Sequence, residues 1–256
     1  MTFPDVILLI FVGLIGGVWN AIAGGATLFT FPALMAAGLP PVVANATNFL
    51  GLLPSNAAAL AAYKDELRKA GSDLFILSLV SGAGAATGSL LLLVSDPQTF
   101  LALVPFLLAA ATALFAFGEQ MRRAFVRLSG PSRTSTAVYA VLFLVSIYGG
   151  YFGAGLGIIL LAIAQVIGHT DFHEANSIKN LLATNFTIIS IAIFGAGGLI
   201  DWPAALVMMI GSSAGGYLGG RWAKKVNQNH LRILVVAFGT LLSVVYFWRT
   251  FVVAGP

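Results

Sequence analysis

The chain has 256 residues, 59% of them hydrophobic and only 9% charged, with a mean hydropathy of +0.95. A soluble domain carries about 25% charged residues, so this composition excludes a water-soluble globule and implies a polytopic membrane protein in contact with the lipid bilayer. The absence of cysteine excludes disulfides, thiolate metal sites and cysteine nucleophiles, and the net charge of +4 sits between apolar runs as a topology signal, not as a nucleic-acid surface.

In chain order, an apolar helix is expected from about Pro4 to Ala23. Met1 to Asp5 carries no basic residue, so a cleaved signal peptide is not expected. Gly24-Gly25-Ala26 then breaks the helix, and Thr27 to Ala37 is apolar but far short of the roughly 20 residues of an upright span. A helix follows Pro40-Pro41, with Pro41 suited to its first turn, and runs to about Tyr63. It carries Ala44-Asn45-Ala46-Thr47-Asn48. After a charged loop, Asp73 can cap a helix reaching about Val94. Asp96-Pro97 opens another that is expected to end near Phe117. Residues 119–135 read as a polar connector.

The second half repeats this order. A helix over about 136–151 meets the break Gly153-Ala154-Gly155-Leu156-Gly157, and a short apolar segment covers 158–167. Asp171, with Glu174 three residues on, caps a helix bearing Ala175-Asn176-Ser177-Ile178-Lys179-Asn180. Asp201-Trp202-Pro203 opens the next helix, and Asn227 or Asn229 can cap the last, which ends near Trp248. The two asparagine-bearing helices are 131 residues apart, and the same offset pairs Gly84 with Gly215 and Gly88 with Gly219. The chain is therefore a duplication, with membrane repeats over 1–118 and 136–256.

Eleven of the 13 Lys and Arg lie in three places: Lys64, Arg68 and Lys69; Arg122, Arg123, Arg127 and Arg133; Arg221, Lys224, Lys225 and Arg232. The positive-inside rule sets all three, the 119–135 connector included, in the cytoplasm and both termini outside. Only Arg249 falls on the other side. Equivalent loops of the two halves then face opposite ways. The expected fold is all-α: a polytopic inner-membrane protein with two inverted-topology repeats and Gly-broken or re-entrant helices. Whether 27–37 and 158–167 span or re-enter is left open, as is assembly into homo-oligomers.

Lys179 is the one basic residue expected inside a span. A charge there costs about 3 kcal/mol on insertion scales and should face the protein interior or a wet cavity. Asn176, Lys179, Asn180, Thr184 and Thr187 share one helix face, and Asn45, Asn48, Ser55 and Asn56 share another. Such residues serve either as interhelical hydrogen bonds or as a polar site. The breaks at Gly24, Gly25, Gly155 and Gly157 leave the following short helices with unpaired N–H groups and positive dipole ends near the midplane, a cradle for an anion. The alternative reading of glycine is close packing, which fits Gly84, Gly88, Gly215 and Gly219. His169, Asp171, His173 and Glu174 resemble a metal set, but capping explains the acids, and no metal or cofactor is expected.

Asn20-Ala-Ile-Ala-Gly-Gly-Ala-Thr-Leu-Phe-Thr-Phe-Pro32 and Ala44-Asn-Ala-Thr-Asn48 resemble the first half of the TauE/SafE sulfite-exporter family of membrane permeases. Lys179-Asn180-Leu-Leu, Gly198-Leu-Ile-Asp-Trp-Pro203 and Gly215-Gly-Tyr-Leu-Gly-Gly-Arg221 resemble its second half. The resemblance implies export of a small anion such as sulfite, sulfoacetate or another organosulfonate. With it, the expected substrate site is Lys179 for charge, Asn45, Asn48, Asn176 and Asn180 as donors, and Asn20 and Thr184 beside them. No ATPase sequence is present, so transport is passive or ion-coupled; the spans contain no Asp or Glu to carry a coupling proton. A channel, an intramembrane enzyme and an accessory membrane subunit are the alternatives.

Overall fold

The computed structural model describes residues 1–22, 24–62, 67, 73–129, 136–169, 171–222 and 228–253. Lys64, Arg68, Lys69, Arg133, Lys224, Lys225 and Asn227 lie outside these residues, as do the side chains of Asp73, Arg122, Arg127, His173, Arg221, Asn229 and Arg232. The described chain is helical, without strands. The first half holds α1 (Phe3–Ile22), α2 (Thr27–Ala36), α3 (Pro41–Ala62), α4 (Asp73–Leu93) and α5 (Pro97–Ser129). The second holds α6 (Thr136–Tyr151), α7 (Leu156–Val166), α8 (Phe172–Ala196), α9 (Trp202–Trp222) and α10 (Gln228–Trp248), closed by a π-turn over Arg249–Val253.

Five described helices, α1, α4, α5, α8 and α10, are long and apolar enough to cross a membrane. Helices α3 and α9 are about as long, but most of their asparagines, serines and glycines face other helices, so they do not need an apolar surface all round. The starts follow the local chemistry. Asp96 accepts from the Thr99 N–H at 2.8 Å, Asp171 from the Glu174 N–H at 3.0 Å, and Asp201 from the Ala204 N–H at 2.9 Å. Helix α5 departs from expectation: it continues past Phe117 to Ser129, through much of the connector. An exposed Arg123–Glu119 pair at 2.8 Å, one helical turn apart, supports this extension beyond the apolar run.

The two halves interlock. Helix α1 packs along α9, and α6 along α4, through glycine faces. A Cβ at Gly215 would meet the Leu14 carbonyl, and one at Gly88 the Ile147 carbonyl, so only glycine permits these approaches. Contact directions fix the path. Gly51 lies against Met208 and Gly216 against Ser55, so α3 runs parallel to α9, as does α1, whose Ile10 and Val18 meet Gly211 and Gly219. Both α1 and α3 therefore start at the same end, and α2 brings the chain back. Its 10 residues rise only about 15 Å, half a bilayer core. The second half does the same. Asn185 bonds to Ser78 and Ser89 to Ser190, so α8 runs parallel to α4, as does α6, and α7 returns the chain.

Helices of the two halves also meet antiparallel. On α3 and α8, Phe49 packs on Phe194, while Asn56 donates to Thr187 at 3.3 Å. On α5 and α10, Phe106 packs on Phe247 and Phe251, while Gly239 faces Thr112. Asn56 and Thr187 are themselves 131 residues apart, the offset expected from the sequence. From these directions, the helix ends flanking 63–72, 130–135 and 223–227 gather at one end of the bundle. Phe3 and the turns at 94–96 and 197–201 lie at the other.

Candidate functional site

Where α1, α3, α8 and the starts of α2 and α7 converge, a cavity of about 60 Å³ opens. It is smaller than the roughly 150 Å³ cavity that holds a benzene. Its polar lining is Asn20, Thr27, Asn48, Asn56, Lys179, Asn180 and Thr187. Phe49, Phe152 and Phe186 enclose it from the apolar side. Gly24 and Gly157, one from each break, approach each other beside it, and Gly24 holds the left-handed φ of 72° that the turn into α2 requires.

Lys179 is 5% exposed and lines the cavity, and no described residue forms a hydrogen bond or ion pair with it. It sits seven residues into α8, about 10 Å along a helix of about 37 Å. That places it five residues short of the middle of α8. Asn180 lines the same cavity, and its Nδ2 is buried without an acceptor. An unpaired ammonium beside an unused amide donor is a pair of groups that suits an anion.

The other expected residues divide by role. Asn20 lines the cavity, and its Nδ2 lies 2.7 Å from Ser55 Oγ and 2.6 Å from Asn56 Oδ1. Asn48 lines it too, with its Nδ2 donating to Thr27 Oγ1 at 3.1 Å. Asn45 lies outside the lining and donates to the Tyr151 carbonyl at 2.8 Å, bracing the end of α6. Asn176 is buried one turn before Lys179 and is not part of the lining. Thr184 is also outside it, its hydroxyl returned to the Asn180 carbonyl. Gly25 is filled over by the Phe115 ring and Gly155 lies against Ala111, so neither lines the cavity, whereas Gly24, Gly153 and Gly157 do.

Thr27 and the three phenylalanines were not singled out from the sequence; they are ordinary apolar-helix residues until α2, α3, α7 and α8 meet. His169 pairs with Glu174 at 2.6 Å across the α7–α8 turn. Among the described residues no cluster of three or more His, Asp or Glu could hold a metal ion.

A multi-pass helical membrane protein with a small cavity lined by a buried lysine between two interlocked halves has the build of a membrane transporter. The chain belongs to the TauE/SafE family: the family model described as "Sulfite exporter TauE/SafE" matches residues 9–246. It is 32% identical over 253 residues to a "Probable membrane transporter protein" of Haemophilus influenzae, covering 93% of each chain. It is 28% identical over 240 residues to "Probable membrane transporter protein YfcA" of Escherichia coli K12, covering 92% of this chain and 87% of the relative. To "Probable membrane transporter protein ORF9" of a Sinorhizobium species it is 27% identical over 233 residues, covering 90% and 87%. No solved structure gives a significant match.

Proposed function

We propose that this transporter exports a small anion, of the sulfite, sulfoacetate or organosulfonate class, across the inner membrane through the cavity between its halves. The observation that carries the reading is Lys179: a buried ammonium with no described counter-charge, facing a cavity with an unused Asn180 donor. An isolated charge at such depth is costly, and an anionic ligand supplies the missing partner. The α2 and α7 N-termini, neither with a side-chain cap, add positive dipole ends at the same place. Asn20, Asn48 and the backbone at Gly24 and Gly157 complete the lining, while Asn45, Asn176 and Thr184 position it from behind.

The proposed topology is inverted. Antiparallel contact of equivalent helices, α3 with α8 and α5 with α10, favours an axis between the halves lying in the membrane plane. The end that gathers the three basic stretches is then cytoplasmic by the positive-inside rule. A thermal-shift screen of detergent-purified protein against small anions tests the function. A ligand at 100 times its Kd stabilises by about 2.7 kcal/mol. A screen in which sulfite, organosulfonates and other small anions all leave the melting temperature unmoved would leave the accessory-subunit reading standing instead.

A further inference from the structure

We propose that the protein also binds a monovalent alkali cation, of the sodium class, between Asn45, Asn48, Thr27 and the C-terminal end of α6. The coupling part of this proposal rests on the anion reading above; the cation site itself does not. Among the described residues only four buried side-chain polar atoms lack a partner, and two of them are Asn45 Oδ1 and Asn48 Oδ1. The two asparagines are 0% and 2% exposed. They stand three residues apart on α3, on one face, with Cβ atoms about 5–6 Å apart. Oxygens so spaced can share one ion with oxygen ligands at about 2.4 Å.

The Asn45 amide orientation follows from the bond it makes. Asn45 gives its N–H to the Tyr151 carbonyl, an obligatory acceptor, so its own oxygen is the atom left over. Asn48 gives its N–H to Thr27 Oγ1. Each asparagine thus uses a donor within the protein and keeps its amide oxygen unpartnered, an acceptor that suits a cation.

The surroundings point the same way. Tyr151 is the last residue of α6, so the negative end of that helix dipole lies at Asn45. Among the described residues no carboxylate forms a hydrogen bond or ion pair with Asn45, Asn48 or Thr27. Divalent ions are usually held by carboxylates, whereas neutral carbonyl and hydroxyl oxygens at a broken helix match a monovalent ion. Asn48 lines the same cavity as Lys179, so occupancy of one site bears on the other. A cation site here also supplies what the acid-free spans do not, a carrier for ion coupling.

The test uses purified full-length protein in gluconate salts of sodium, lithium, potassium and N-methylglucamine at constant ionic strength, so that only the cation changes. Melting temperature reads the cation site; titration with sulfite reads the coupling. The expected result is a higher melting temperature in one small alkali cation and a sulfite affinity at least about fivefold tighter there than in N-methylglucamine. Asn48→Leu should abolish the cation dependence, and Asn48→Asp should shift it to lower cation concentration. Lys179→Met should lose sulfite while keeping the cation-dependent melting shift, so loss of the anion site and loss of the cation site give different results. Equal melting temperatures in all four salts overturn the proposal, as does a cation effect that persists unchanged in both Asn48 variants. A melting shift with no change in sulfite affinity overturns the coupling alone.

Discussion

Replacing Lys179 by methionine keeps the length and volume of the side chain and removes its charge. In the structure the ammonium is 5% exposed and has no described ion-pair partner, so the substitution breaks no internal bond. Losing a charge that costs about 3 kcal/mol to insert should leave yield and thermal stability equal or higher. For a bound anion the loss is large. Two unit charges about 4 Å apart interact by about 4 kcal/mol at an effective dielectric of about 20, equivalent to roughly three decades of affinity. A ligand at 100 times the wild-type Kd stabilises wild type by about 2.7 kcal/mol; after a thousandfold loss it stabilises by under about 0.1 kcal/mol. The assay is a melting curve and a binding titration on the same purified Lys179→Met preparation. Lys179→Arg keeps the charge in a wider planar group and should retain part of the affinity with altered anion preference. Unchanged anion affinity in the methionine variant, above all with a lowered melting temperature, would show that Lys179 is packing glue, and the site assignment would fail.

The glycine faces predict a sharp contrast. Gly215→Val drives a side chain into the Leu14 carbonyl and should destabilise by about 3 kcal/mol or more, whereas Gly38→Ala meets nothing within 4 Å and should cost only the roughly 1–2 kcal/mol of a left-handed φ of 92°; detergent melting curves compare them. Topology is checked with C-terminal reporters: one that works only outside the cytoplasm should be active, and one that works only in the cytoplasm should be silent. Asp96, in the turn between α4 and α5, is held below the ordinary carboxylate range by the Thr99 N–H and hydroxyl. Its cap is therefore present above the ordinary carboxylate pKa of about 4 and is lost as pH falls through the lower folded value. Exchange of the Thr99 amide should speed up only in that acid range, and at all pH values in Asp96→Ala.

The order and type of the elements were legible in the sequence because they rest on local chemistry. Apolar runs, caps at Asp96, Asp171 and Asp201, and glycine breaks set them, and the second-half helix expected over 136–151 is Thr136–Tyr151 in the structure. Hydropathy marks where a helix leaves the apolar region, not where it stops, and for that reason α5 extends to Ser129 through residues read as connector. The 131-residue offset read from the sequence also separates Asn56 and Thr187, which meet in the structure. The site was legible only as two polar stripes. Asn45 and Asn48 lie on one stripe, and Asn176 and Asn180 on the other, yet only Asn48 and Asn180 line the cavity. Spacing along a helix fixes which side chains share a face about one turn wide. Which of them meets open space, and which meets a carbonyl such as that of Tyr151, depends on the helices packed against that face. Those neighbours come from both halves of the chain: α1, α2, α6 and α8 for α3, and α3 and α4 for α8. Only the tertiary structure brings them there.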